Sequence, residues 1–137
     1  MTSKLFQNVR EKRSLCYSID STYYGAKGIL LANAGIDFDK EAVTRQEILN
    51  QLAACQEGQI TEGELTAAKE AIASSLRAVL DSPGAVESFH STAALSGMIF
   101  TREEYLQAVE QVSVADVVRC AKTLKLHSTY FLKGESL

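Results

Sequence analysis

From Leu15 to Tyr24 the sequence runs on a period of two, and from Asp39 onward on a helical period of about 3.6. That switch constrains the fold more than any other feature. Leu15 to Tyr24 alternates and is rich in Tyr, Ile and Thr, Ile29 to Ile36 is mostly apolar, and Gly25-Ala-Lys-Gly28 between them supplies turn residues. A β-hairpin is therefore expected near the start of a chain whose remainder is helical.

The 137 residues are 46% hydrophobic and 23% charged, with one proline and a net charge of -3, which places the chain among single globular units and excludes disordered and collagen-like classes. A chain of this size can build a core without disulfides or a structural metal. Charge is uneven: residues 1 to 28 hold five basic and two acidic groups, a local +3. Such a patch can orient a peptide or an acidic neighbour, but it is too small to hold a nucleic-acid duplex, so no nucleic-acid partner is expected. Cys16, Cys55 and Cys120 lie far apart with no C-x-x-C spacing and read as reduced thiols. No apolar run approaches a membrane span and no secretory core opens the chain, so the expectation is a cytoplasmic protein with no membrane partner.

Helix signals are specific. Leu5, Phe6 and Val9 take helical spacing behind a Thr2 or Ser3 cap, giving a basic amphipathic helix over residues 3 to 13. After the hairpin, a helix carries Ala42, Val43, Ile48, Leu49, Leu52 and Ala53 on one face and stops near Gly58. Thr61-Glu-Gly-Glu64 is a capping box opening a long helix with Leu65, Ala68, Ile72, Leu76 and Val79 toward a core. Ser82 and Pro83 start another helix, Thr101-Arg-Glu-Glu104 a fourth and Ser113-Val-Ala-Asp116 a fifth. Leu126 to Leu132, with Thr129, Tyr130 and Phe131, reads as a closing strand. The class is α+β: two layers, a small mostly antiparallel sheet covered by helices. Three strands make a thin sheet, and an uncovered edge predicts self-association through it, or else partial disorder near the first helix.

Zinc hydrolysis needs a His-Glu-x-x-His motif or its inverse, and His90 and His127 stand alone, 37 residues apart. No G-x-S-x-G elbow marks a serine nucleophile. Glu62, Glu64, Glu103 and Glu104 sit in first helical turns, where capping accounts for them. No catalytic residue and no metal ligand is therefore expected in this chain.

One stretch remains distinctive. The string Leu5-Phe6-x-x-Val9-Arg10-Glu11-Lys12-x-x-Leu15-x-Tyr17-Ser18 resembles the signature in the C-terminal half of pitrilysin/insulinase zinc metallopeptidases, the superfamily that includes mitochondrial processing peptidase. The order of elements downstream is similar over nearly the whole chain. At Arg13 and Ser14 the sequence departs from the family, where a small residue, often glycine, precedes the leucine. The resemblance implies a half-clamshell (metallopeptidase/LuxS-like) fold, with residues 1–137 as one unit forming the latter part of a C-terminal peptidase-like domain. Zinc would belong to the N-terminal half or to a partner chain. The resemblance further implies that Arg10 and Tyr17 bind substrate: Tyr17 donates its phenol O–H to the carbonyl that becomes an oxyanion, and Arg10 holds neighbouring peptide carbonyls. The implied partners are a peptide and the N-terminal half of the parent, or a homologous catalytic subunit. The chain alone would be inert. The alternative is a structural or assembly subunit of a catalytically dead peptidase-like protein.

Overall fold

The computed structural model describes residues 3–97 and 100–134. It opens with a helix over Leu5–Glu11 whose hydrogen bonds are of the wider i to i+5 kind, as in Lys12 N–H donating to Gln7 O at 3.0 Å. Thr2 lies outside the described residues, and Ser3 caps this helix by accepting from Phe6 N–H at 3.2 Å. Two strands follow, β1 (Ser18–Tyr24) and β2 (Ile29–Gly35), paired antiparallel from Ser18 opposite Gly35 to Tyr24 opposite Ile29. The turn between them is a single 3-10 turn over Gly25–Lys27, closed by Gly28 at φ 61°, a conformation glycine reaches without steric cost.

Five helices complete the described chain: α1 (Glu41–Gln56), α2 (Glu62–Ala78), α3 (Pro83–Leu95), α4 (Arg102–Gln111) and α5 (Val114–Ala121). The capping boxes form as their spacing requires. Thr61 Oγ1 accepts from Glu64 N–H at 3.2 Å while Glu64 Oε2 accepts from Thr61 N–H at 2.8 Å, and the same reciprocal pair recurs at Thr101 with Glu104 and at Ser113 with Asp116. Ser82 differs: its backbone carbonyl, not its hydroxyl, accepts from Ala85 and Val86, behind Pro83 at the first helical position.

The expected closing strand at Leu126 to Leu132 does not form. The segment carries no regular structure, and Leu126, Tyr130 and Leu132 are exposed. Its composition suits a strand, but a strand exists only through a ladder partner, and the sheet among the described residues is β1 and β2. The result is still α+β, with an antiparallel hairpin beside a helical layer.

Packing departs from the helical stripes. Of the α2 residues expected to face a core only Leu76 is buried, with Ile72 exposed, and on α1 the fully covered side chains are the polar Thr44 and Glu47. Buried hydrophobics among the described residues are Val9, Cys16, Leu76, Val109 and Ala121. Polar ties join the helices: Gln56 Nε2 of α1 donates to Ala121 O of α5 at 3.0 Å, and Lys69 Nζ of α2 to Glu110 O of α4 at 2.7 Å.

Candidate functional site: the Arg10–Tyr17 corner

The chain must reverse between the N-terminal helix and β1, and local bonds make it do so. Ser14 N–H donates to Arg10 O at 2.9 Å, Leu15 N–H reaches back to Val9 O at 3.1 Å, and Ser14 takes φ 48°. Only there among the described non-glycine residues is φ positive, at the position where the family resemblance led to glycine. Beneath the corner Val9 is fully buried, and Thr44 of α1 donates its hydroxyl to Leu15 O at 3.4 Å. Lys40 Nζ lies 3.4 Å from Ser14 O.

Arg10 and Tyr17, seven residues apart in sequence, thereby line one open concavity of about 460 Å³ together with Glu11, Cys16, Asp37 and Lys40. The Arg10 guanidinium stands 4.9 Å over the Phe6 ring and 4.0 Å from the Glu11 carboxylate, so its N–H fork is held in direction without a close ion pair. Tyr17 is 70% exposed, with one edge of its ring against Gly35, while its backbone N–H donates to Gly35 O at 2.9 Å. Between them the Cys16 side chain points inward. Burial pushes its thiol up and the Arg10 charge partly offsets that, leaving a protonated group unsuited to attack.

Gly35 was not singled out by the sequence patterns, yet it seats Tyr17. A β-carbon there would lie 2.6 Å from Tyr17 Cζ and 2.7 Å from Ser18 Oγ. The readable signal is a glycine at the end of a mostly apolar strand, which marks close approach by another group. A second polar cluster braces the corner: Glu47 is 5% exposed, accepting from Gln51 at 2.7 Å and Asn50 at 3.1 Å, with Arg13 Nε at 3.4 Å. Asn8 of the N-terminal helix donates to Gln51 Oε1 at 2.6 Å, which ties that helix to α1.

His90 sits on α3 with its ring edge-on to Phe89, and His127 lies in the C-terminal segment beside Ser128. Among the described residues no three His, Cys, Asp or Glu side chains converge as zinc ligands would. Also among the described residues, no helix is long and apolar enough to cross a membrane.

Arg10 and Tyr17 thus share one open concavity on an α+β unit, and the class that the comparisons show for this unit is a peptidase-like domain. Residues 1–72 match the family described as the Peptidase M16 inactive domain, and the chain belongs to that family. It is 30% identical over 132 residues to the "Probable inactive metalloprotease YmfF" of Bacillus subtilis (strain 168), covering 96% of this chain and 31% of that protein. With an "Uncharacterized zinc protease" of Rickettsia bellii (strain RML369-C) it shares 26% over 127 residues, 90% of this chain and 31% of that one. A crystal structure of a conserved protein from Enterococcus faecalis V583 superposes with a TM-score of 0.79 at 28% identity, over 88% of this chain and 28% of that chain. The chain thus spans about a third of the length of the relatives it matches.

Proposed function

We propose that this chain is a non-catalytic C-terminal portion of a pitrilysin/insulinase-like metallopeptidase assembly, in which Arg10 and Tyr17 clamp the peptide while zinc is held by an N-terminal half or a companion subunit. The observation that carries it is the corner itself: two residues of the family signature meet at one solvent-open concavity, one offering an undeprotonatable fork of N–H donors and the other an exposed phenol. A phenol aimed at a developing oxyanion contributes about 3 to 4 kcal/mol to such a reaction. Gly35 lets the Tyr17 ring lie against β2 and so sets where the phenol points.

The test is turnover in an assembly with a zinc-bearing half. Arg10→Ala and Tyr17→Phe are each expected to lower kcat/KM by about tenfold or more. Chelator-sensitive peptide cleavage by this chain alone sinks the reading. A specific observation favours a second reading, an assembly subunit of a dead peptidase-like protein: the Bacillus relative is named inactive. In that case Tyr17→Phe leaves every measured activity unchanged, while the variant still assembles with its partner.

A further inference from the structure

Where α1 meets the N-terminal helix and the turn after it, it does so through polar side chains that follow one helical face. Lys40 at the cap, then Thr44, Glu47 and Gln51, lie four, three and four residues apart, the spacing that stacks side chains on one side of a helix. Each takes hold of a different point of residues 8 to 15. Lys40 Nζ reaches Ser14 O and Thr44 Oγ1 donates to Leu15 O, both at 3.4 Å. The Glu47 carboxylate meets Arg13 Nε at 3.4 Å, and Gln51 Oε1 accepts from Asn8 Nδ2 at 2.6 Å. Within the face Gln51 Nε2 donates to Glu47 at 2.7 Å, which links the last two holds.

Two features separate this face from ordinary packing. Thr44 and Glu47 are 2% and 5% exposed, and a buried carboxylate with its partners stabilises a fold no more than well-packed apolar side chains of similar volume. What such groups add is direction: apolar contact is non-directional, whereas a hydrogen bond fixes which atoms meet. The atoms they meet belong to the turn that joins Arg10 to Tyr17. The N–H groups of Ser14 and Leu15 are committed to Arg10 O and Val9 O, and α1 takes the carbonyls of the same two residues. Ser14 stands at φ 48°, which a non-glycine residue keeps only where its surroundings hold it.

We propose that this face of α1, centred on Thr44 and Glu47, is the positioning element of the site: it holds the turn at Ser14 and thereby sets where the Tyr17 phenol points relative to the Arg10 guanidinium. Thr44 and Glu47 do not line the concavity that Arg10 and Tyr17 share, so they act on it through the turn. Every contact invoked lies within the chain. The effect on turnover rests on the function proposed above for Arg10 and Tyr17; the placement of the Tyr17 ring by α1 does not.

The experiment pairs turnover, in an assembly with a zinc-bearing half, with a structural readout on the full chain. The Tyr17 ring lies against Gly35, so the α-protons of Gly35 carry its ring-current shift in the NMR spectrum. Thr44→Val keeps the side-chain shape and removes the hydroxyl, and Glu47→Gln keeps the shape and removes the charge. Each is expected to lower kcat about fivefold with KM within about twofold, because what changes is the aim at the transition state. Thr44→Ser should restore kcat, and Arg45→Ala, on the same helix but off this face, should leave it unchanged. Thr44→Val should also move the Gly35 α-proton shift, and in a Tyr17→Phe background it should cost less than about twofold. An unmoved Gly35 shift overturns the proposal, as does a loss of the same size from Arg45→Ala or one undiminished in the Tyr17→Phe background. So does a kcat per folded chain that Thr44→Val leaves intact while Tyr17→Phe lowers it. If Tyr17→Phe leaves turnover unchanged while Thr44→Val still moves the Gly35 shift, the proposed function fails and the placement of Tyr17 by α1 stands.

Discussion

The corner at residues 9 to 17 and the hairpin beyond it are neighbours in sequence and opposites in packing. At the corner Val9 and Cys16 are buried, Thr44 and Glu47 close beneath them, and the polar atoms are paired. On the hairpin the backbone ladder is regular but the side chains on both faces remain in solvent apart from the half-buried Ile19, Ala34 and Gly35. The corner is held by its own chain, whereas the hairpin has its hydrogen bonds and lacks its hydrophobic cover. Only the first arrangement fixes side chains well enough to present a site.

The largest expected effect separates the two regions directly. Val9→Ala removes two methyl groups from a site with 0% exposure and should cost about 2 kcal/mol, whereas Leu30→Ala, at 43% exposure, should cost less than about 0.5 kcal/mol in the monomer. Denaturant titration at low protein concentration measures both. Equal losses would mean that the hairpin has a hydrophobic cover of its own, and would break the comparison.

What could be read from the residues follows the same division. Local signals came through: the turn at Gly25 to Gly28, the stop at Gly58 with φ 79°, and three capping boxes, because each depends on a few residues acting on one another. Signals that need a distant partner misled. Leu126 to Leu132 has the composition of a strand and no neighbouring strand to pair with, and Ile72 is exposed on an apolar stripe of which only Leu76 is buried. At the site, the seven-residue spacing of Arg10 and Tyr17 was legible, but the wider helical turn over Leu5–Glu11 and the seat that Gly35 gives the Tyr17 ring are tertiary facts with faint local traces.

A smaller effect sharpens the picture of the corner. Ser14 pays a steric cost at φ 48° that glycine does not, so Ser14→Gly should stabilise the chain by about 0.5 to 1 kcal/mol after allowing for the greater freedom of glycine in the unfolded chain. Ser14→Val should do the reverse. Both are read from the same denaturant titrations. If Ser14→Gly lowers stability, the turn is held by the serine side chain and not by the bonds to Arg10 O and Val9 O that define it.

The smallest effect concerns how the corner is tied to the helical layer. Lys4 Nζ reaches Glu64 at 2.9 Å, joining the N-terminal helix to the capping box of α2. Burial pushes the Glu64 carboxyl up, but the Thr61 N–H and hydroxyl and the Lys4 ammonium together hold it below its ordinary 4.5. The Ser113 hydroxyl and N–H likewise hold Asp116 below its ordinary 3.8. A carboxyl depressed in the folded state binds its proton more readily in the unfolded chain, so its stabilisation is present above the ordinary value and is lost as pH falls through the lower, folded one. Thermal melts from neutrality to about pH 3 should therefore show Tm falling below roughly pH 4.5, with amide exchange rising first across residues 4 to 11 as Lys4 loses its anion. Lys4→Met should remove part of that acid slope while leaving the hairpin amides unaffected. If the hairpin loosens in acid ahead of residues 4 to 11, the corner does not depend on this ion pair and the distinction between the two regions has to be drawn elsewhere.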